Sequence, residues 1–429
     1  MRHCRLILAA VVMALTLPVA RGEFTLERCK ELARDNYPAV ARLGIIKATK
    51  GYDLSNAAKS WLPQVGVMAQ GSWQNEVMKL PELLTGILAS QGMDYPGIKQ
   101  WQYKAGVDVT QQIWDGGRVS ARRSVAESEA EVSLKATENQ LYEVEARVEQ
   151  IYFGILLIDR RIECNRLTSE LMDSTLARVK SLVANGVAMR SDADEVEASR
   201  LSMSQQRVEL DAMRRGYMAM MQIFTGVDFS GENPAIPAES VARESAWNHP
   251  QLSVFDARQR ELESRRKMLD AGLRPSLGAF LSGYYGYPRL NYFKSMQSEN
   301  PAFTFMAGVK LSWNIGALYT RGNDIRKLEK AAGSVAVDRE VFEFNNRLEN
   351  VKLENDIASL RELLDSDRRM VELRRSVRVA AESELRNGVI DTTDLLTKIT
   401  DEQLAEVALA TREIEMLQNV YQLNHNINK

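Results

Sequence analysis

Histidine and cysteine are scarce in this chain, three of each in 429 residues. His3 and Cys4 fall within the first 22 positions, which leaves His249, His425, Cys29 and Cys164 for the rest. Neither histidine neighbours a nucleophile or stands in a metal-ligand spacing, and two distant cysteines make neither a zinc site nor a disulfide scaffold. No G-x-x-x-x-G-K-[ST], H-E-x-x-H or nucleophile elbow occurs. These absences argue against an active site, a metal, a cofactor or an internal energy source, so any transport is passive or driven by a partner. Net charge is also lacking: at −2, with 26% charged residues, the chain offers no basic surface for nucleic acid. After position 22 no apolar run approaches the roughly 20 residues of a transmembrane helix, and Tyr152–Ile158 is the nearest. A membrane location would have to come through strands.

Residues 1–22 read as a secretory signal. Arg2 and Arg5 supply the charged start, Leu6 to Leu17 the apolar run, and Ala20-Arg21-Gly22 a small-x-small cleavage site. No cysteine follows the cut directly, so no lipid anchor is expected.

Period-2 alternation is the main positive signal. In 101–114 the odd positions hold Trp101, Tyr103, Ala105, Val107, Val109 and Ile113, and the even ones Gln102, Lys104, Gly106, Asp108, Thr110 and Gln112. One face is apolar, the other polar, as on a half-buried strand. Segments at about 62–74, 275–287 and 303–316 repeat the pattern; in the third, Phe280 and Tyr284 stand on the nominally polar side. A half-exposed sheet in a soluble domain explains any one such strand. Four, each long enough to span a bilayer and flanked by aromatics behind a signal, favour a membrane sheet. Four strands cannot close a barrel, and an open edge in lipid leaves backbone groups without partners at several kcal/mol each. Several chains must then share one barrel; three would supply twelve strands.

The chain reads as an internal duplication, 23–225 and 226–429. Asn36-Tyr37-Pro38 returns as Asn248-His249-Pro250, and Pro63 as Pro275, both 212 residues on. Gly106-Val107 returns as Gly308-Val309, and Asn185-Gly186-Val187 as Asn387-Gly388-Val389, both 202 on, so the loop between strands is shorter in the second copy. In each copy Asn-x-Pro is expected to cap a helix, and proline to open the first strand. Residues 118–183 contain no proline and a single glycine, Gly154. Leu134, Leu141, Val144, Val148, Ile151, Ile155, Ile158 and Ile162 recur there at threes and fours, the stripe of a long amphipathic helix that needs helical neighbours. Some 65 residues at about 1.5 Å each would reach roughly 100 Å, more than any bilayer is thick. The return helix is expected over 191–224, opened by a capping box from Ser191 to Asp194, and the second copy repeats the hairpin with 321–386 and 392–424.

In order, duplication and spacing these motifs resemble the outer-membrane efflux protein family, the TolC-like channel-tunnels. The resemblance covers essentially the whole mature chain and includes the strand end Ile113-Trp114-Asp115-Gly116-Gly117-Arg118 and the paired Asn-Gly-Val turns. It implies a mostly helical fold with membrane strands: a homotrimer in the outer membrane, a 12-stranded β-barrel continuous with a periplasmic α-barrel, and no cofactor. Expected partners are a periplasmic adaptor and, through it, an inner-membrane RND or ABC transporter. Asp394 matches the family position whose carboxylates ring the closed entrance, where converging like charges would favour cations. The second carboxylate expected one turn later is Thr397 here, with Asp391 the nearest substitute. Asp192 matches a position that ties neighbouring helices in the closed state, but its expected aromatic partner is Leu385. Gly186, Val187, Ser191, Gly388, Val389 and Thr393 are the candidate adaptor-docking tip, and Lys104, Asp108 and Lys310 the candidate barrel-lumen residues. Two other readings stay open: an exit duct for type I protein or polymer secretion, and a periplasmic coiled-coil scaffold, which accounts for the helices but not for the strands.

Overall fold

The computed structural model describes residues 24–239 and 248–427. The expected signal at 1–22 lies outside the described residues. Five helices lead in and out of the first strand pair: α1 (Leu26–Asn36), α2 (Val40–Lys59), α3 (Glu82–Ser90), α4 (Arg118–Ala184) and α5 (Arg190–Thr225). Four more follow: α6 (Pro250–Gly272), α7 (Tyr292–Gln297), α8 (Leu318–Arg386) and α9 (Thr392–Ile427). The strands are β1 (Gln64–Trp73), β2 (Trp101–Trp114), β3 (Ser276–Tyr287) and β4 (Ala302–Ser312). No described helix is long and apolar enough to cross a membrane.

Two compact units make up the chain, and they do not coincide with the two sequence halves: each draws segments from both. The first takes the chain up to Leu43, Ala136–Ser253 and everything from Glu340 on; the second takes Gly44–Lys135 and Val254–Arg339.

The second unit holds one antiparallel sheet in the order β1-β2-β3-β4, so β1 and β4 are its edges. Register brings the odd positions together across all four strands. Val67 pairs with Val107, Val107 with Gly283, and Gly283 with Phe305; Trp73 pairs with Trp101, and Tyr285 with Phe303. One face is therefore apolar from edge to edge, and within a single chain it is uncovered: Val67 is 83% and Phe303 69% exposed. The even positions face the other way and are the better covered. Phe280 and Tyr284 do lie on that polar face, each opposite a glycine, Gly308 and Gly106. Without side chains of their own, those glycines leave room for the rings. β4 ends sooner than the alternation suggests. Trp313 donates its indole N–H to the Leu273 carbonyl at 2.9 Å, and Ile315–Ala317 turn as a 3₁₀ segment into α8.

The first unit is helical. Its largest core packs Phe24, Leu26, Cys29 and Ala33 against Val144, Val148, Ile151, Tyr152, Phe153 and Ile155 of α4, closed by Met218 and Met221 of α5, Phe229 and Ile414 of α9. That is the stripe read from α4 by its threes and fours, buried by neighbouring helices. Cys29 and Cys164 are free thiols, and burial pushes Cys29 up to about 12, which makes it an inert packing residue. Asn36 does not cap the following helix. It is the last residue of α1, and its amide donates to the carbonyls of Ile223 (3.2 Å) and Phe224 (3.1 Å), two acceptors that the end of α5 leaves without helical partners. The capping box from Ser191 is also displaced. α5 starts one residue earlier, at Arg190, and the Asp192 carboxylate reaches back to accept the Met189 N–H at 2.9 Å.

Candidate functional site

Two sharp turns end the long helices of the first unit. α4 stops at Ala184 and α5 starts at Arg190; α8 stops at Arg386 and α9 starts at Thr392. Gly186 and Gly388 carry φ of +72° and +70°, the left-handed conformation that ends a helix at lowest cost when no Cβ is present. The next residues complete the motif: Val187 N–H donates to the Leu182 carbonyl (2.9 Å) and Val389 N–H to the Glu384 carbonyl (3.0 Å). Both valines point outward, 70% and 71% exposed, as does Met189. Beneath the turns a separate apolar core joins the two hairpins: Met172, Leu176 and Val179 of α4, Ala193 and Val196 of α5, Ala381 and Leu385 of α8, and Leu395, Leu396 and Ile399 of α9. Thr393 also links them, donating its hydroxyl to Glu195 at 2.9 Å. The two turns are thus held as one patch.

Within that patch the acidic residues have distinct employments. Asp391 accepts the Asp394 N–H at 2.8 Å and so caps α9. Asp394 is exposed in the first turn of α9. Thr397 returns its hydroxyl to the Thr393 carbonyl (3.0 Å), a bond within its own helix. Ser191 sits exposed inside α5, with its hydroxyl 3.4 Å from Asp192. Leu385 is buried in the apolar core, and the Asp192 carboxylate accepts an N–H at its own helix start.

The other candidates lie on the polar face of the sheet. Lys104 is half-covered, its ammonium 5.7 Å from the centre of the Tyr284 ring. Asp108 accepts the Ser282 hydroxyl at 2.5 Å across the strand pair, and Lys310 is exposed opposite Gly278. All three share one face, away from the apolar one. Among the described residues no group of three or more His, Cys, Asp or Glu is placed to hold a metal ion.

With this geometry in place the comparisons with known proteins are informative. Residues 31–216 match the pattern of the family described as outer membrane efflux protein. The fold matches the outer-membrane channel OprN with a TM-score of 0.69 at 17% identity, over 94% of this chain and 89% of that one. It matches CusC with 0.69 at 12%, over 96% and 95%, and the Campylobacter jejuni outer membrane channel CmeC with 0.67 at 14%, over 94% and 85%. Over residues 31–216 the chain thus carries the pattern of the outer membrane efflux proteins, and its fold is that of these solved channels. No curated protein sequence matches it.

Sequence reasoning missed one arrangement in the first unit, a polar girdle between α8 and α9. Arg378 donates to Glu402 and Glu382, both at 2.5 Å; Arg375 reaches Glu402 (3.3 Å) and Glu406 (3.6 Å); Arg374 reaches Asp401 (2.7 Å). Glu402 is buried, and burial raises the Glu406 carboxyl above its ordinary range. The sequence did carry a signal for it: three arginines run antiparallel to three carboxylates on the far side of the Asn387-Gly388 turn. Only the register of the hairpin says which of them meet. The girdle ties the two helices above the turn patch.

Proposed function

We propose that this chain is an outer membrane efflux protein and works as a passive duct. Three copies close one 12-stranded barrel, and their long helices form a periplasmic tunnel whose entrance is ringed by the Gly186 and Gly388 turns. The observation that carries this reading is the sheet: four strands, two edges without partners, an uncovered apolar face and a polar face on the other side. In lipid each unpaired edge group would cost several kcal/mol, so the edges call for strands from neighbouring copies. The apolar face then meets lipid, and Lys104, Asp108 and Lys310 line the lumen. At about 1.5 Å per residue, the 67 residues of α4 make a helix of about 100 Å, far longer than a bilayer is thick. The repeats 23–225 and 226–429 supply each copy with two equivalent strand pairs and two equivalent hairpins.

At the entrance, Asp394 from three copies makes a ring that disfavours anions, and a single ring is weaker than the double one Thr397 precludes. Val187, Val389, Met189 and the Thr393–Glu195 link form the docking surface for a periplasmic adaptor, through which an inner-membrane RND or ABC transporter drives the cargo. Two measurements test the reading. The detergent-solubilised protein is expected to have the mass of three protomers, and two or six would overturn it. Deletion is expected to raise sensitivity to dyes, detergents and antibiotics; unchanged sensitivity in a strain without a redundant homologue would overturn the efflux assignment and leave secretion as the duct's use.

A further inference from the structure

Helix α3, in the loop 74–100 between β1 and β2, is out of place for a water-exposed loop. Its sequence, Glu82-Leu83-Leu84-Thr85-Gly86-Ile87-Leu88-Ala89-Ser90, has a single charge, and none of its residues is buried. Leu83 is 77% exposed, and Leu84 and Ile87 are exposed beside it. Nine residues are too few to hold a helix in water without packing, since isolated helices below about 12–15 residues are marginal. The loop does have a core of its own: Ile98, Tyr287 and Met296, joined by Val77, Leu80 and Tyr95. That core anchors the loop on the sheet and leaves the apolar side of α3 unused.

Its position says what covers it. β1 and β2 end at the register pair Trp73–Trp101, both exposed and both on the apolar face of the sheet, as indoles at a headgroup layer are. The loop departs directly beyond that pair, where the sheet's apolar face ends. The companion loop 288–301 leaves the same end of the sheet, and its short helix α7 also exposes Tyr292 and Phe293. A weakly charged helix with a leucine and isoleucine face, tethered at this level, has the character of an interfacial helix. We propose that α3 lies in the outer leaflet of the membrane, with Leu83 and Ile87 set among the acyl chains and Ala89 on the opposite, watery side. This rests on the barrel reading, and it adds a lipid contact beyond the strands.

The test is collision accessibility of a nitroxide side chain in the full-length protein reconstituted in phosphatidylcholine vesicles, in a Cys29→Ala, Cys164→Ala background. Labels are placed singly at 83, 87, 89 and, as a reference on the apolar face of β1, at 67. Oxygen concentrates in acyl chains and a charge-neutral nickel chelate in water. The expected result is an oxygen-to-nickel collision ratio several-fold higher at 67, 83 and 87 than at 89. A high ratio at 67 with water-like ratios at 83 and 87 would overturn the proposal and leave the barrel standing. Low collision rates with both reagents at 83 and 87 would overturn it in favour of protein cover from a neighbouring copy. A water-like ratio at 67 itself would overturn the barrel reading and the proposal with it.

Discussion

Acid should weaken the helical unit through a pair of histidines packed among aromatic rings, and the size of the effect follows from their surroundings. His425 of α9 is stacked on Tyr142 of α4, ring centres 4.0 Å apart and planes 10° from parallel. His249 stands edge-on to the same tyrosine (5.3 Å), with Phe342 of α8 against it (5.0 Å) and His425 6.3 Å away. Its Nδ1 accepts the Gln251 N–H at 3.1 Å at the start of α6, which requires that nitrogen to be unprotonated. Burial, then the charge of His249, then Lys30 of α1 lower His425 from 6.5 to about 4, and burial lowers His249 as well. Both histidines therefore take up a proton less readily in the folded state than in the unfolded chain. Stability is therefore full above pH 6.5 and falls as pH drops towards 4, below which His425 is charged in both states. For His425 alone the loss between pH 7 and 4.5 is on the order of 2 kcal/mol per protomer, and His249 adds in the same direction.

Glu149 of α4, paired with Lys30, is raised by burial and works with the opposite sign, so the raw pH profile mixes the two. Replacement separates them. His425→Phe keeps an aromatic ring over Tyr142 and cannot titrate; His249→Asn keeps an acceptor for Gln251. Thermal unfolding of the detergent-solubilised protein, followed by circular dichroism at fixed scan rate, is expected to fall by several degrees from pH 7 to 4.5 in the parent. In the double variant most of that fall should vanish. An equal fall in both proteins would refute the assignment.

Other outcomes follow from single contacts. A Cβ on Gly106 would lie 2.3 Å from the Gly283 carbonyl and 2.6 Å from Tyr284, so Gly106→Val should cost about 3 kcal/mol or more and prevent assembly of the proposed trimer, read by electrophoresis without heating, while Gly66→Ala, whose nearest neighbour is 4.0 Å away, should assemble as the parent does. Asn36→Ala removes both hydrogen bonds to the end of α5 and should lower stability by about 1–2 kcal/mol, read as a lower denaturant midpoint at unchanged slope. Asp394→Asn should reduce cation over anion selectivity in planar bilayers and Thr397→Asp should increase it, both read from the reversal potential across a salt gradient. Val187→Asp with Val389→Asp should raise drug sensitivity of cells towards that of the deletion while leaving the trimer intact; wild-type resistance would remove the turns from the docking surface.

Much of this was legible before any coordinates, because it rests on local rules. Alternation separated an apolar from a polar face on four strands, and the threes and fours of 134–162 marked the buried side of α4. The Asn-Gly pairs located both turns, since a residue with positive φ ends a helix whatever surrounds it. What the sequence could not decide was every partner distant along the chain. Asn36 had the residue type and position of a cap, but the helix end it serves is almost 190 residues away, at Phe224. Asp192 read as a tie between neighbouring helices and Asp391 as a substitute for a second ring carboxylate; hydrogen bonds engage both at their own helix starts and leave Asp394 exposed. Leu385 proved to be core because two hairpins converge on it. Periodicity specifies which side of an element seeks cover, whereas the choice of what covers it depends on packing across the whole chain.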